Sequence, residues 1–247
     1  MMTVTDTLLG PLFAADPARP LITFYDDATG ERIELSGATF GNWVAKTANL
    51  LRDECDVEPG TAVAVLLPAH WQTAAALCAL WWCGAEAVAD PAGADVVLAA
   101  EDALDRADVV GGAGLLVGFS LDAFGRGLGE ALPAGGVDYA TEVRVHGDHF
   151  DPLAPVPEDT PALAGVDVAG VVTGARDRAA ALGLTAGDRV LSTLDWPLAT
   201  SGGLVDGLLA VLAAGASLVH VRHPAGDQER RAGTEKVTRV LGPPSRS

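Results

Sequence analysis

The sequence predicts an α/β protein made of two similar layered subdomains, each with a mainly parallel sheet. Apolar runs of strand length alternate with longer apolar stretches at helical spacing, which is typical of βαβ units. A repeat supports the same prediction, since EPGTAVAVLLPAHW (58–71) and TAGDRVLSTLDWPL (185–198) share an order of Gly turn, β-rich run and Pro near Trp. Each is followed by an apolar stretch that ends in a Gly-Ala pair. One strand–helix–strand module is therefore expected in both halves.

The first unit, residues 1–121, begins with two short strands around the turn DDATG. A helix follows over TFGNWVAKTANLLRDE, with Thr39 as its expected N-cap. PGTAVAVLLP is a strand covered on both sides, and HWQTAAALCALWWCG is a buried helix that stops near Gly84. ADVVLAA and GLLVGFS are strands on either side of a polar segment, 101–108.

Residues 122–161 are rich in Gly and Pro and are expected to form an irregular surface connection. The second unit, 162–247, starts with a helix over DVAGVVTGARDRAAALG that ends at Gly183. DRVLSTL is a strand, GGLVDGLLAVLAAG a helix and ASLVHVR a strand. A polar tail follows, in which TEKVTRVLG is a possible helix.

Composition excludes several classes of protein. A 247-residue chain with 49% hydrophobic and 20% charged residues is typical of a packed globular protein. Its net charge of −17 argues against a nucleic-acid partner. The N-terminus has no signal-peptide pattern and no apolar run is long enough to span a bilayer, so no membrane partner and a cytoplasmic location are expected. The three cysteines lack CxxC spacing, and buried thiols are expected.

Two long segments resemble the acyl- and aryl-adenylate-forming superfamily, which includes acyl-CoA synthetases, luciferases and the adenylation domains of peptide synthetases. Residues 34–88 follow the N-terminal phrase of that superfamily, and residues 179–219 follow the segment just after its phosphate-binding loop. The matching positions of the first segment are Thr39, Asn49, Leu51, Pro59, Gly60, Val63, Pro68, Trp71 and Gly84. The resemblance implies the superfamily's N-terminal scaffold and, in a complete member, ATP-dependent activation of a carboxylate.

The phosphate-binding loop itself is missing from the pattern. The superfamily has a loop close to TSGTTGxPKG, in which backbone N–H groups, hydroxyls and a Lys hold the ATP phosphates. The corresponding stretch here, EDTPALAGVDVAGVVTGARDRAAALG, contains no Lys and no Gly-rich Ser/Thr run. It is either a helix surface or a distant remnant with Arg176 in the role of the Lys. The chain also ends before the superfamily's adenine-binding motifs and C-terminal lid, so it is interpreted as a truncated, degenerate relative.

A vestigial pocket, if one persists, is expected where equivalent strands of the two halves end. Open α/β sheets place ligands beyond the carboxyl ends of their strands. The candidate residues are His70, Trp71, Trp196, Pro197, Thr200 and Ser201. No catalytic, cofactor-binding or metal-binding residue is assigned.

Other patterns have ordinary structural interpretations. His146 with His149, and His220 with His223, have HxxH spacing, but the first pair lies in a turn-rich stretch and the second at a strand end. Gly111, Gly112 and Gly114 precede a strand, whereas a dinucleotide fingerprint opens a helix. The adjacent Trp81 and Trp82 are expected to pack between layers, although one of them facing a partner is an alternative.

Three functional hypotheses follow. The first is a catalytically degenerate adenylate-forming-like protein that binds a small molecule or another protein, with no cofactor. The second is an acyl-CoA synthetase-like ligase, using ATP and Mg²⁺, whose phosphate site is completed by a partner or by unrecognised residues. The third is a plain scaffold without a ligand. A homodimer through apolar surface is compatible with each.

Overall fold

In a computed structural model of the protein, residues 2–105 and 114–242 are described, and they form two sheets with helices packed around them. The strands are β1 Pro20–Asp26, β2 Glu31–Ser36, β3 Ala62–Leu66, β4 Glu86–Val88, β5 Val96–Ala100, β6 Leu115–Phe119, β7 Val137–Asp138, β8 Pro161–Leu163, β9 Val166–Asp167, β10 Arg189–Ser192, β11 Ser217–Arg222 and β12 Arg239–Leu241.

The helices surround both sheets. They are α1 Val4–Ala15, α2 Gly37–Glu54, α3 Trp71–Cys83, α4 Tyr139–Glu142, α5 Val168–Ala181, α6 Gly202–Ala213 and α7 Gln228–Thr234. The central part of α6, Val205–Leu209, has π-helical hydrogen bonding. No helix among the described residues combines the length and the apolarity that crossing a bilayer requires.

The sheets are mainly parallel, as the sequence predicts. The five-stranded sheet has the order β12-β10-β11-β1-β2 and the seven-stranded sheet the order β7-β6-β5-β3-β4-β8-β9. Neighbouring strands run parallel except in the two hairpins, β1/β2 and β8/β9. The predicted α/β class with two mainly parallel sheets is confirmed.

The repeated phrase forms the same module twice. β3–α3–β4 and β10–α6–β11 are strand–helix–strand units whose two strands pair in parallel. Gly84 and Gly215 end the two helices with φ of 83° and 73°. In each copy the following Ala donates to the carbonyl five residues earlier, Ala85 to Leu80 at 2.9 Å and Ala216 to Val211 at 3.1 Å. The Gly-Ala pair is therefore a helix stop that requires a left-handed glycine.

The sheets divide the chain differently from the boundaries at 121 and 162. β1 pairs in parallel with β11, and so the N-terminal hairpin belongs to the five-stranded sheet of the second half. Within residues 122–161, β7 pairs with β6 and extends the edge of the seven-stranded sheet. Pairing between strands far apart in sequence leaves no local pattern, and the apolar periodicity of a hairpin does not specify its sheet.

Two local predictions are wrong. Ser36, rather than Thr39, caps α2, because the Ser36 Oγ accepts from the Thr39 backbone N at 3.1 Å. The segment TEKVTRVLG does not form a helix, since α7 ends at Thr234 and Arg239–Leu241 is strand β12, paired with β10. Backbone pairing at a sheet edge outweighs a weak helical pattern here.

The polar segment 101–108 begins with a single 3₁₀ turn, Glu101–Ala103. Its last residues lie outside the described ones, as do Gly111 and Gly112.

The adjacent tryptophans of α3 both contact other elements of the fold. Trp81 is 1% exposed and its Nε1 donates to the Ala162 carbonyl of β8 at 2.8 Å. Trp82 is half-buried, and its Nε1 donates to Asp6 Oδ1 of α1 at 2.9 Å. The expected burial of the thiols is also found, because Cys55, Cys78 and Cys83 are all buried and unpaired. Burial raises the pKa of each of these thiols to about 12.

Candidate functional site

A cleft of about 770 Å³ lies where strands of both sheets end. β3, β5 and β6 of one sheet and β1 and β11 of the other run toward it, and the turn between β1 and β2 forms one wall. Its lining residues are Asp26, Thr29, Gly30, Glu31, Pro68, His70, Ala100, Glu101, Asp102, Ser120, Leu121, Asp122, Ala123, Phe124, Arg126, Gly127 and Arg222. The carboxyl ends of parallel strands are the usual place for ligands in open α/β sheets.

His70 is the buried histidine of this cleft and its tautomer is set by the backbone. It caps α3, and its Nδ1 accepts from the backbone N of Gln72 at 3.1 Å. Because Nδ1 accepts, the proton of the neutral ring is on Nε2. Burial lowers the pKa of His70, opposed by the carboxylate of Glu31, so the neutral form is favoured. The ring is 2% exposed, and Nε2 has no hydrogen-bond partner among the described residues.

Glu31 also lines the cleft, and its carboxylate faces His70 Nε2. Its Oε2 lies 3.8 Å from His70 Nε2, beyond hydrogen-bond distance, and its side chain is only 9% exposed. No hydrogen bond to the carboxylate of Glu31 is found among residues 2–105 and 114–242. Gly30, with φ of 78°, turns the chain immediately before Glu31 and so places this acid at the start of β2. A donor and an acceptor, both nearly buried, thus stand side by side.

The charge of the cleft lining is negative. It contains five carboxylates and two guanidinium groups, an excess of three negative charges. Arg126 is held by Asp122 at 2.7 Å, a pairing that lowers the pKa of Asp122 to about 2. Arg222 Nη1 lies 3.7 Å from Asp26 Oδ2. Because both cations already face acids, the lining disfavours a polyanionic ligand.

A cluster of aromatic and imidazole rings packs behind His70. Phe24 contacts His70 with ring centroids 4.3 Å apart, and Trp196 contacts His220 at 4.8 Å. Five buried nitrogens have no hydrogen-bond partner among the described residues, and all belong to His70, Trp71, Trp196 or His220. Such an accumulation is unusual, since buried polar atoms are nearly always paired.

The candidate residues from the sequence divide into two groups. His70 lines the cleft, Trp71 packs edge-on against Trp43 at 5.3 Å, and Trp196 is buried beside His220. His70 contacts Trp71, and Phe24 links His70 to His220 and so to Trp196, which makes these rings one connected set.

The other three candidates lie in the turn between β10 and α6. Pro197 and Thr200 are exposed there, and Ser201 is half-buried with φ of 45°. None of these three lines the cleft. Sequence reasoning missed Glu31, Asp122, Arg126 and Arg222, although Arg222 ends a strand and Glu31 follows a Gly turn.

The histidine pairs are not brought together as metal ligands. His146 Nε2 lies 2.9 Å from Glu54 Oε1, and His149 pairs with Asp151 at 3.3 Å. His220 is buried, whereas His223 is half-exposed and bonds Asp26 at 2.9 Å. Over the described ranges, no group of three or more His, Cys, Asp or Glu side chains is arranged to hold a metal ion.

A two-residue hairpin occupies the place that the resemblance gives to the phosphate loop. β8 and β9 are joined by Ala164 and Gly165, with φ of 47° and 83°. α5 then begins at once, capped by Asp167, whose Oδ1 accepts from the Gly170 N at 2.7 Å. Arg176 lies on the exposed side of α5. These residues offer no loop of backbone N–H groups and no Lys, so they do not fit the phosphates of ATP and its Mg²⁺.

A second cavity, of about 390 Å³, lies between α1 and the end of α6. Its lining is mostly apolar, including Leu8, Leu12 and Leu212, with Arg19 and Arg176 among its polar residues. The two Nη atoms of Arg19 donate to the carbonyls of Ala186 and Asp188. Since no unpaired buried polar side chain faces this cavity among the described residues, the cleft at His70 is the better candidate site.

Burial of His220 predicts that acid destabilises the fold. Desolvation lowers the pKa of His220 to about 3, with His70 and Arg222 adding to the effect. The unfolded chain, with a histidine pKa near 6.5, therefore binds a proton that the folded protein does not. The contribution of neutral His220 to stability is retained above about pH 6.5 and falls below it. From about pH 7.5 to about pH 5.5, His220 lowers the free energy of unfolding by about 1.4 kcal/mol.

Urea denaturation of the wild type and His220→Leu at both pH values measures this term. The variant should lose about 1.4 kcal/mol less than the wild type over the same interval. His149→Leu, at a side chain that is 85% exposed, is the matched control for removing a histidine. Equal losses in the wild type and in His220→Leu contradict the prediction.

Comparison with known proteins places the fold. No family model matches the sequence. The structure is similar to that of an acyl-CoA synthetase from Brucella canis, with a TM-score of 0.76 and 18% identity, over 99% of this chain and 48% of that one. It is also similar to acetoacetyl-CoA synthetase from Streptomyces lividans, with a TM-score of 0.72 and 20% identity, over 97% and 42%. The chain spans about half the length of these structures, and the predicted adenylate-forming fold is confirmed.

A nearer relative is known from sequence. A protein of Mycobacterium tuberculosis described as "TIGR03089 family protein" is 53% identical over 244 residues, which is 97% of this chain and 98% of that protein. With this identity over nearly the full length of both chains, the protein belongs to the TIGR03089 family.

Proposed function

We propose that this protein binds a small molecule in the cleft at His70 and has no ATP-dependent ligase activity of its own. The observation that carries the proposal is that residues 158–183, the stretch that the resemblance assigns to the phosphate-binding loop, contain no Lys and form a hairpin with a two-residue turn at Ala164 and Gly165, followed at once by a helix. The two residues of this turn leave no room for a loop that wraps a triphosphate. The scaffold is retained, and the group that would bind ATP is replaced.

The cleft supports the binding half of the proposal. Its volume of about 770 Å³ is within the range of small-molecule sites. It contains the buried His70, whose Nε2 has no hydrogen-bond partner among the described residues, and the nearly buried carboxylate of Glu31 3.8 Å from that nitrogen. Its excess of three negative charges disfavours a nucleoside triphosphate, which is a polyanion. These features are typical of a ligand site that does not select ATP.

Pyrophosphate exchange and calorimetry test the ligase half. We expect no carboxylate-dependent ATP–pyrophosphate exchange by the purified chain, and no saturable heat with ATP and Mg²⁺. An active acyl-CoA synthetase assayed in parallel is the positive control. Clear exchange by the chain alone would overturn the proposal.

A further variant separates the possible causes of exchange. Loss of exchange in Arg176→Ala would assign it to a remnant phosphate site on α5. Exchange that appears only after adding a cell fraction would indicate a ligase completed by a partner. The first result contradicts the proposal, whereas the second is compatible with a chain that has no ligase activity of its own and favours a ligase completed by a partner.

A further inference from the structure

The strongest unexplained feature of the cleft is the pair formed by His70 and Glu31. The backbone bond to Nδ1 makes His70 Nε2 a donor, and the Glu31 carboxylate is an acceptor 3.8 Å away. Both side chains are nearly buried, and both residues line the cleft. Leaving the buried N–H of His70 without a partner is unfavourable, because a buried donor has lost its hydrogen bonds to water without replacing them. A group that pairs with both therefore binds favourably here.

The chemistry of the pair selects that group. One oxygen can stand about 2.8 Å from two atoms that are 3.8 Å apart, so a single atom can bridge them. That atom must accept from His70 and donate to Glu31. A phosphate or carboxylate oxygen accepts but cannot donate, and it would face the Glu31 charge. An ammonium group donates but cannot accept from the imidazole N–H. A hydroxyl does both.

The rest of the lining narrows the class further. The excess of three negative charges opposes an anionic ligand and favours a neutral or cationic one. Polar groups stand around the cleft rather than at one point, with Thr29 in the β1–β2 turn and Ser120 after β6, where the Ser120 hydroxyl donates to the Arg126 carbonyl at 2.6 Å and can still accept. A ligand with several hydroxyls can use this distributed set of partners.

We propose that the cleft binds a polyhydroxylated small molecule, neutral or cationic, with one hydroxyl bridging His70 Nε2 and the Glu31 carboxylate. The inference rests on the proposed binding function and adds the chemical class of the ligand. Glu31 and His70 are then the residues that recognise the hydroxyl, since His70 donates to it and Glu31 accepts from it. The charge of the lining sets the preference among hydroxyl-bearing compounds.

Nuclear magnetic resonance of the ¹⁵N-labelled full chain tests the proposal. The probes are glucose, sorbitol, glucosamine and, as an anionic counterpart, glucose 6-phosphate. The histidine ring spectrum should show His70 with its proton on Nε2. We expect at least one uncharged or cationic probe to shift this resonance saturably, and glucose 6-phosphate to bind at least tenfold more weakly than glucosamine.

Two variants on the same strand provide the matched comparison. Glu31→Ala removes the acceptor and should weaken binding of the best probe at least tenfold. Glu34→Ala removes the same charge, but Glu34 bonds Arg32 and lies three residues away, which places it on the other face of β2. It should bind like the wild type. Backbone amide spectra establish that both variants are folded.

Three outcomes would overturn the proposal: no probe shifting His70, glucose 6-phosphate binding most tightly, or undiminished binding by Glu31→Ala. These outcomes are distinguishable from failure of the proposed function, which pyrophosphate exchange measures without any polyol. A protein with no exchange and no polyol binding retains the ligase half of the proposed function and loses this inference.

Discussion

Replacing Trp81 with alanine should lower the free energy of unfolding by about 3–5 kcal/mol, one of the two largest losses that we expect for a single substitution. Trp81 is 1% exposed and lies on α3, the helix of the first repeated module. Its indole Nε1 donates to the Ala162 carbonyl of β8, 81 residues away in sequence. The substitution leaves a large cavity and also removes the donor to a carbonyl inside the seven-stranded sheet.

Urea denaturation measures the loss of stability. One further variant separates the contribution of the hydrogen bond from that of the side-chain volume, and another compares Trp81 with its neighbour Trp82. Trp81→Phe keeps most of the volume and removes the hydrogen bond, and it should cost about 1–2 kcal/mol. Trp82→Ala changes the adjacent, half-buried residue, whose indole bonds Asp6 on α1. Because its surface is partly exposed, it should cost clearly less than Trp81→Ala. A larger loss from Trp82→Ala would show that the docking of α1, rather than that of β8, dominates.

The repeated module could be predicted because its signals are local. A Gly turn, a short apolar run and a Gly-Ala helix stop lie within 30 residues in each copy, and each part has one conformation that suits it. Gly84 and Gly215 adopt the same left-handed conformation and are followed by the same capping hydrogen bond. The sequence therefore specified both the type of each element and its stop.

The assignment of strands to sheets could not be predicted in the same way. β1 pairs with β11, almost 200 residues later, and nothing in the pattern of LITFYD records that partner. The edge strand β12 has three residues, too few for a periodicity that distinguishes a strand from a helix. In both cases backbone pairing decides the structure, and backbone groups are the same in every residue.

The candidate site shows the same limit. The rule that ligands lie beyond the strand ends led to His70, which lines the cleft, and to Trp71 and Trp196, which pack in the rings behind it. Glu31 was not found, because the turn before it is an ordinary hairpin turn by sequence. Its position opposite His70 depends on the N-terminal hairpin joining the other sheet. A site assembled from both sheets is visible only once their pairing is known.

Gly203→Ala should lower the free energy of unfolding by about 3 kcal/mol. A Cβ atom at Gly203 would overlap the carbonyl oxygen of Asp195, a backbone atom that no rotamer change can move. Asp195 precedes Trp196 in the turn between β10 and α6, so relieving the overlap shifts the turn. The shift pulls Trp196 away from His220, and the near-ultraviolet circular dichroism of the variant should change with it.

Gly202→Ala is the matched control, one residue earlier in the same helix. A Cβ atom there meets nothing within 4 Å. Alanine also reduces the conformational entropy of the unfolded chain, so this variant should gain up to about 1 kcal/mol. The two substitutions add the same methyl group at neighbouring positions and are expected to change stability in opposite directions. Equal effects would mean that the turn before α6 can shift to accommodate the methyl group without loss of stability. The packing of Trp196 on His220 would then not depend on Gly203.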